Sequence, residues 1–283
     1  MLREPVAAGR FYAGTANRLR SQIEDSFLSE RGPGGIPKIS YKPGNIKGCV
    51  VPHAGYQFSG PIAAHVYASL AKDGFPESFA IVGPNHTGYG ANIALMTHGY
   101  WETPLGRVPI DAQRAEHLLG IGNQDYNAHL YEHSIEVQLP FLQYLSEDIS
   151  FVPLCLAQQD YNTALKLGKA LAQLSNIVPI ASSDFSHTGI GYGTKPSRGT
   201  SAKEWTEKQD QIALKAIQSL DAQHFLHIVK KHNITMCGYG CVAAVMIAAK
   251  KSGATEVQLL RYSTSCDVYP ADSCVGYGAL VFT

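Results

Sequence analysis

Three histidines each follow a short apolar run that has the composition of a buried strand. Because open α/β sheets bind ligands at the carboxyl ends of their strands, we expect these three imidazoles to share one rim of the sheet. Neutral imidazole is a common metal ligand, and it also transfers protons near neutral pH. The three residues are His53, His86 and His187, which follow the runs 48–51, 78–82 and 177–181.

Cys237 fits the same rim. It lies in Met236-Cys237-Gly238, just before an apolar helix predicted over 241–250, and a helix N-terminus favours a thiolate. Two imidazoles and one thiolate leave coordination positions open, as in catalytic metal sites. This nitrogen and sulfur set suits zinc, copper or iron better than magnesium or calcium. We therefore predict His53, His86 and Cys237 as the ligands of one transition metal ion.

Two further residues at this rim are candidates for proton chemistry. His187 is expected to be either a fourth ligand or a general acid/base. Asp184, three residues earlier, either orients a ligand or accepts a proton, or it serves only as a turn or cap residue. His133 is weaker, because His129 and His133 do not have the HExxH order of a zinc protease. The triplet around it, 132–134, begins a predicted helix and either caps that helix or lines the pocket.

The elements needed to position these residues alternate along the chain. Strands are predicted where the apolar runs lie, and helical stretches separate them, with Pro61 in the first turn of one helix and Pro140 as a kink in another. This alternation predicts an α/β fold with a mixed, mainly parallel sheet covered by helices on both faces. No sharp change in composition divides the chain, so we expect a single domain over 1–283.

Composition narrows the classes of partner. Lysine plus arginine and aspartate plus glutamate both number 23, so the formal net charge is zero, and no basic surface for nucleic acid is expected. No apolar run is long enough for a bilayer, and no secretory signal is recognisable. The six cysteines are not densely spaced, which favours reduced thiols. We expect a cytoplasmic protein that binds neither nucleic acid nor membrane, with a small-molecule substrate or a peptide in the cleft at the strand ends.

Several motifs together resemble those of the Memo family, whose animal members are named for mediating receptor-driven cell motility. The resemblance extends over nearly the whole chain. The motifs are Arg3-Glu-Pro-Val-Ala-Ala-Gly-Arg-Phe-Tyr12, Val51-Pro-His-Ala-Gly-Tyr56, Gly83-Pro-Asn-His86, Glu132-His-Ser-Ile-Glu136, Ser182-Ser-Asp-Phe-Ser-His187 and Met236-Cys-Gly238.

The resemblance implies a fold similar to that of class III extradiol dioxygenases, in which two histidines and one glutamate hold Fe(II) and another histidine is the acid/base. By position it implies His53, His86 and Cys237 as ligands and His187 as the acid/base. A thiolate in place of the carboxylate changes the metal preference. Copper or iron is then favoured, with zinc as an alternative, and ring-cleaving activity does not carry over directly.

Three functions follow as hypotheses. The favoured one is metal-dependent redox chemistry with His187 moving protons. The second is ring cleavage of an aromatic substrate by an extradiol-type reaction. The third is a binding module without catalysis, which recognises a peptide or protein through aromatic residues along the old active-site cleft, because tyrosine and tryptophan are common interface anchors. The aromatic residues expected in that groove are Trp101, Tyr56, Tyr89, Tyr192 and Tyr239.

Overall fold

A nine-stranded mixed sheet forms the centre of the computed structural model, which covers residues 1–283. A smaller sheet has three strands. The twelve strands in chain order are β1 (Leu2–Arg3), β2 (Gly48–Val51), β3 (Ser78–Pro84), β4 (Ile93–Leu95), β5 (Tyr100–Thr103), β6 (Gly106–Pro109), β7 (Asn123–Gln124), β8 (Ser150–Leu156), β9 (Ile177–Ser182), β10 (His187–Thr188), β11 (Val257–Thr264) and β12 (Cys274–Phe282).

The order of the large sheet is β10-β12-β2-β9-β3-β8-β4-β7, with β11 also paired to β12. Its four middle strands, β2, β9, β3 and β8, are parallel to one another. On one side β12 pairs with β2 in the antiparallel sense, and on the other β4 pairs with β8 in the antiparallel sense. The predicted mixed α/β sheet is therefore confirmed, with the parallel strands at its centre. The carboxyl ends of the middle strands meet at one edge.

Nine helices cover the sheet on both faces. Helices α1, α2 and α5 contact one another on one side, and α6, α8 and α9 contact one another on the other. None of the helices is long and apolar enough to cross a bilayer. Their bounds are α1 (Ala16–Leu28), α2 (Tyr56–Asp73), α3 (Ala112–Glu116), α4 (Asn127–Leu130), α5 (Leu139–Leu145), α6 (Tyr161–Leu171), α7 (Ala202–Gln218), α8 (Ala222–Lys231) and α9 (Tyr239–Lys251).

The interior follows from the apolar periodicity. Leu19, Ile23 and Phe27 of α1 are fully buried, as their spacing of four predicts. Helix α9 is buried along most of its length and packs on β2, β3 and β9. Since both faces of the middle strands are covered, every residue of β2 and β3 is buried.

Two predictions about prolines were wrong. Helix α2 begins at Tyr56, so Pro61 lies inside it rather than in its first turn. Proline has no N–H to donate to the carbonyl of Gln57 four residues earlier, and that carbonyl accepts a hydrogen bond from Arg31 instead, at 3.1 Å. Pro140 lies in the first turn of α5 rather than inside a longer helix, because a separate 3-10 turn precedes α5.

The smaller sheet, β1-β5-β6, was not predicted, because its strands are short and have little periodicity. It attaches the N-terminal segment to the rest of the chain. Arg3 of β1 is completely buried, lies over the ring of Trp101 and forms an ion pair with Glu136.

Candidate metal centre

The loops after three adjacent parallel strands bring His53, His86 and His187 to one edge of the sheet. His53 follows β2, His86 follows β3, and His187 ends the loop after β9. The strand order β2-β9-β3 makes the three loops neighbours. His53 and His86 contact each other with ring centroids 5.3 Å apart, and all three side chains line one cavity of about 440 Å³.

His133 joins His53 and His86 in a cluster of three imidazoles. One ligand atom from each residue lies within 4.8 Å of those of the other two. Two nitrogens bound to one ion at about 2.1 Å are at most about 4.2 Å apart. The observed separations are close to that limit, so the cluster could hold a metal ion.

Buried hydrogen bonds fix the tautomer of His53. The hydroxyl of Ser182 donates to the Ser134 carbonyl at 2.7 Å and accepts from the amide of Gln138 at 2.8 Å. It therefore has an acceptor site left for Nδ1 of His53, which lies 2.9 Å away. The amide of Gln138 is oriented in turn, because its nitrogen also donates to the carbonyl of Pro52 at 3.0 Å. His53 thus carries its proton on Nδ1, and its Nε2 lone pair is free for a metal.

Glu132 fixes His86 in the same way. Nδ1 of His86 lies 2.9 Å from a carboxylate oxygen of Glu132, and the other oxygen accepts the backbone N–H of His86 at 2.6 Å. Burial opposes ionisation, but the hydrogen bond and charge of His86 lower the pKa of Glu132 to about 2. Nδ1 of His86 is therefore the donor, and Nε2 is free. A carboxylate behind a ligating histidine orients the ring and makes its nitrogen more basic.

The pKa values of the three imidazoles shift in different directions. Burial lowers the pKa of His53 well below its ordinary range, and the neighbouring imidazoles lower it further. Burial also lowers the pKa of His133, to about 4. For His86 burial acts in the same direction, but the hydrogen bond and charge of Glu132 outweigh it and raise the pKa. Neutral imidazoles are the form that binds a metal.

His133 was not among the predicted ligands. It lies between α4 and the 3-10 turn at Glu136–Gln138, so it follows no strand, and the strand-end pattern does not reach it. Its ring packs between Phe11 and His86, with centroid distances of 4.4 and 4.7 Å. Of the triplet 132–134, His133 lines the pocket, whereas Glu132 accepts the backbone N–H groups of His133 and Ser134, each at 2.9 Å. The motif Glu132-His-Ser-Ile-Glu136, one of those that resemble the family, was the available signal.

Cys237 lies beside His53, with its sulfur 3.3 Å from Nε2. Gly238 makes this approach feasible, because a Cβ there would come within 2.7 Å of the carbonyl oxygen of Ser182. The backbone N–H of Asp184 donates to the sulfur at 3.3 Å. Burial and the negative charge of Asp184 raise the pKa of Cys237. The expected effect of the helix N-terminus is thus outweighed, and without a cation the residue is a thiol.

Asp184 and His187 flank the cluster. Asp184 is buried, and one of its oxygens accepts the backbone N–H groups of His53 at 2.8 Å and Ala54 at 3.2 Å. It therefore holds the loop that carries His53. Burial raises the pKa of Asp184. Nδ1 of His187 lies 3.1 Å from the carbonyl of Thr235, which can only accept, so Nδ1 is protonated and Nε2 is free.

The aromatic groove expected for peptide recognition does not form from the five predicted residues. Only Tyr192 lines the cavity. Trp101 and Tyr56 are core residues, 0% and 2% exposed, and the hydroxyl of Tyr56 donates to the carbonyl of Val137. The other aromatic side chains around the cavity are Phe11, Phe58, Tyr269 and Tyr277.

The fold and the cluster together define a mixed α/β protein with a candidate metal centre at the carboxyl ends of its parallel strands. The sequence profile described as Memo-like protein matches residues 3–281, and the chain belongs to this family. The family expected from the motifs is therefore confirmed.

Relatives agree with this assignment, and a solved structure shares the fold. A MEMO1 family protein of Methanopyrus kandleri is 44% identical over 100% of this chain and 99% of its own length. One of Methanobrevibacter smithii is 42% identical over 100% of both chains. The crystal structure of an uncharacterized protein from Escherichia coli K12 shares the fold, with a TM-score of 0.55 and 17% identity over 83% of this chain and 99% of that one.

Proposed function

We propose that this protein binds one transition metal ion, copper or iron in preference to zinc, and carries out metal-dependent redox chemistry on a small molecule. The proposal rests chiefly on one observation. Nδ1 of both His53 and His86 donates to a buried acceptor, which leaves Nε2 free in both rings, and the two rings belong to one cluster with His133.

We propose Cys237 as the third ligand, because its sulfur lies 3.3 Å from Nε2 of His53. His133 belongs to the same cluster and is the competing third donor. A set of nitrogen and sulfur donors suits copper, iron and zinc. When bound, a redox-active ion at this place would exchange electrons with oxygen or an organic substrate.

The residues around the ion supply binding and proton transfer. His187 has a free Nε2 in the same cavity, so it can give a proton to a bound substrate or remove one from it. Asp184 fixes the backbone of His53 and Ala54. The aromatic side chains at the cavity wall offer apolar surface to a small ligand.

Metal analysis of protein produced and purified without oxygen tests the proposal. We expect about one ion per chain in the wild type and almost none in His53→Ala or His86→Ala. The exposed His117→Ala is the matched control and should retain the ion. Absence of bound metal in the wild type after loading with Fe(II), Cu(I) or Zn(II) in turn would refute the proposal.

The third ligand is decided by two further variants. Cys237→Ser should weaken binding and abolish the absorption band that a thiolate gives with Cu(II) or Co(II), whereas Cys266→Ser should leave both unchanged. If Cys237→Ser keeps the ion and the spectrum while His133→Ala loses the ion, the third ligand is His133. Oxygen uptake with a chemical reductant then measures redox turnover, and His187→Ala should lower turnover without loss of metal.

A further inference from the structure

Two cysteines outside the metal centre, Cys266 and Cys274, lie next to each other. Together with Ala202 they form a small buried cluster separate from the main core, and the Cys274 thiol is a hydrogen-bond neighbour of Cys266. Both are free thiols. The other four cysteines belong to the β2, β8 and α9 region or to the metal centre.

The two residues lie where β11 ends and β12 begins. The last register pair is Thr264 of β11 with Gly276 of β12, and Cys266 lies in the 3-10 turn Ser265–Asp267 that follows β11. This turn stays attached to β12, because the N–H of Val275 donates to the hydroxyl of Ser265 at 3.0 Å and the thiol of Cys266 donates to the carbonyl of Ser273 at 3.5 Å. The Cys266 thiol is therefore next to Cys274, the first residue of β12.

The backbone on both sides of the pair is held in place. Next to Cys266, the carboxylate of Asp267 accepts the N–H of Thr264 at 2.7 Å and pairs with Lys203 at 2.6 Å. On the other side, Cys274 pairs in register with Thr188 of β10. These contacts fix the backbone on both sides, so a disulfide would form by rotation of the two side chains, whose thiols are already hydrogen-bond neighbours.

The segment between the cysteines forms part of the wall of the metal pocket. Tyr269, Ala271 and Ser273 line the cavity that also contains His53, His86 and His187. Tyr269 is 72% exposed. A covalent bond between the ends of this short segment would therefore limit the motion of one side of the pocket.

We propose that Cys266 and Cys274 are a site of oxidative modification, at which a two-electron oxidant of the peroxide class closes an intrachain disulfide around residues 267–273. Cys266 reacts first, because it is 7% exposed whereas Cys274 is 0% exposed. The reaction rigidifies the pocket wall that carries Tyr269.

The chemistry balances with hydrogen peroxide as the oxidant. The sulfur of Cys266 attacks one peroxide oxygen, the O–O bond breaks, and a sulfenic acid and one water result. The sulfur of Cys274 then attacks that of Cys266, the S–O bond breaks, and the hydroxyl leaves as a second water. The two thiols lose two electrons and two protons, and one peroxide becomes two waters.

The rate should depend on pH, since the thiolate is the nucleophile. Burial and the neighbouring Cys274 thiol raise the pKa of Cys266 to about 11. The second-order rate with peroxide should therefore rise roughly tenfold per pH unit between about pH 7 and 10.

Peptide mapping of the full-length protein tests the proposal. Reduced protein is treated with hydrogen peroxide, its remaining thiols are blocked with iodoacetamide in denaturant, and the chain is cleaved before aspartates, because Asp267 and Asp272 separate the two cysteines. We expect a peptide pair joined through Cys266 and Cys274 that dithiothreitol releases. Cys266→Ser and Cys274→Ser should lack it, and the matched control Cys237→Ser should retain it.

Two results would overturn the proposal. One is recovery of Cys266 and Cys274 in alkylated form, or as sulfinic acids, under conditions that oxidise Cys237. The other concerns the pocket wall and needs only the wild type: amide hydrogen exchange in 267–273 should slow on oxidation and recover on reduction. Unchanged exchange in a protein that contains the bond would refute the effect on the pocket.

Discussion

Replacing Glu136 by glutamine removes the negative charge that neutralises Arg3 in the interior. Both side chains are completely buried. The carboxylate also accepts the backbone N–H groups of Val6 and Ala7, each at 2.9 Å, and the hydroxyl of Tyr12 at 2.5 Å. Glu136 is thus the point at which the N-terminal segment attaches to the part of the chain that carries His133.

The expected cost follows from this environment. Glutamine has nearly the same shape, so Glu136→Gln creates no cavity, but it leaves the guanidinium of Arg3 buried without a counter-charge. Breaking a buried pair from one side costs about 3–5 kcal/mol, a large part of the 5–15 kcal/mol or so that typically stabilises a domain.

Urea unfolding at pH 7, followed by circular dichroism, measures the change in the free energy of unfolding. Glu102→Gln is the matched control, because Glu102 and its partner Arg107 are 35% and 60% exposed, and such pairs contribute about 0–1 kcal/mol. The double variant Arg3→Met, Glu136→Gln should lose less than the sum of the single losses. A loss below about 1 kcal/mol for Glu136→Gln, equal to the control, would refute the reasoning.

Two further variants test other buried carboxylates. Glu132→Gln should retain the fold but lower metal affinity roughly 10–100-fold, because the ring of His86 loses its charged acceptor. A competition titration with a chromogenic chelator measures the affinity, and equal affinity in wild type and variant would contradict this prediction. Burial raises the pKa of Asp210 to about 7, so the folded protein keeps a proton that the unfolded chain releases between about pH 4 and 7, and stability falls as pH rises through that window. The shift in pKa corresponds to about 4 kcal/mol of unfolding free energy. When wild type and Asp210→Asn are unfolded in urea at pH 4, 5.5 and 7, the variant should lack this loss of stability. Parallel pH profiles of the two proteins would contradict the prediction.

The residues at the rim of the sheet were predictable because the end of an apolar run in the sequence shows where a buried strand ends. The runs before His53, His86 and His187 indicate buried strands, and parallel strands with helices between them must open their carboxyl ends on one edge. The local position of Cys237 before an apolar helix was equally visible. The motifs also specified the family, which the matches over the whole chain confirm.

Protonation states were not predictable in this way. The tautomer of His53 depends on a hydroxyl 129 residues away in sequence and on the amide of Gln138. The thiol character of Cys237 results from burial and from Asp184, against the local effect of the helix terminus. Such effects arise from groups that meet only in the folded chain.

What the sequence alone determined, therefore, was the periodic part of the protein: the α/β class, the strands that end in histidines and the helix behind Cys237. The tertiary structure decided that His133 joins the cluster, that Glu132 and Ser182 fix the free nitrogens of His86 and His53, and that Glu136 neutralises Arg3. The physical reason is the distance along the chain over which each kind of interaction acts. Periodicity and propensity act over a few residues, whereas hydrogen bonds and ion pairs between buried groups depend on how distant segments pack.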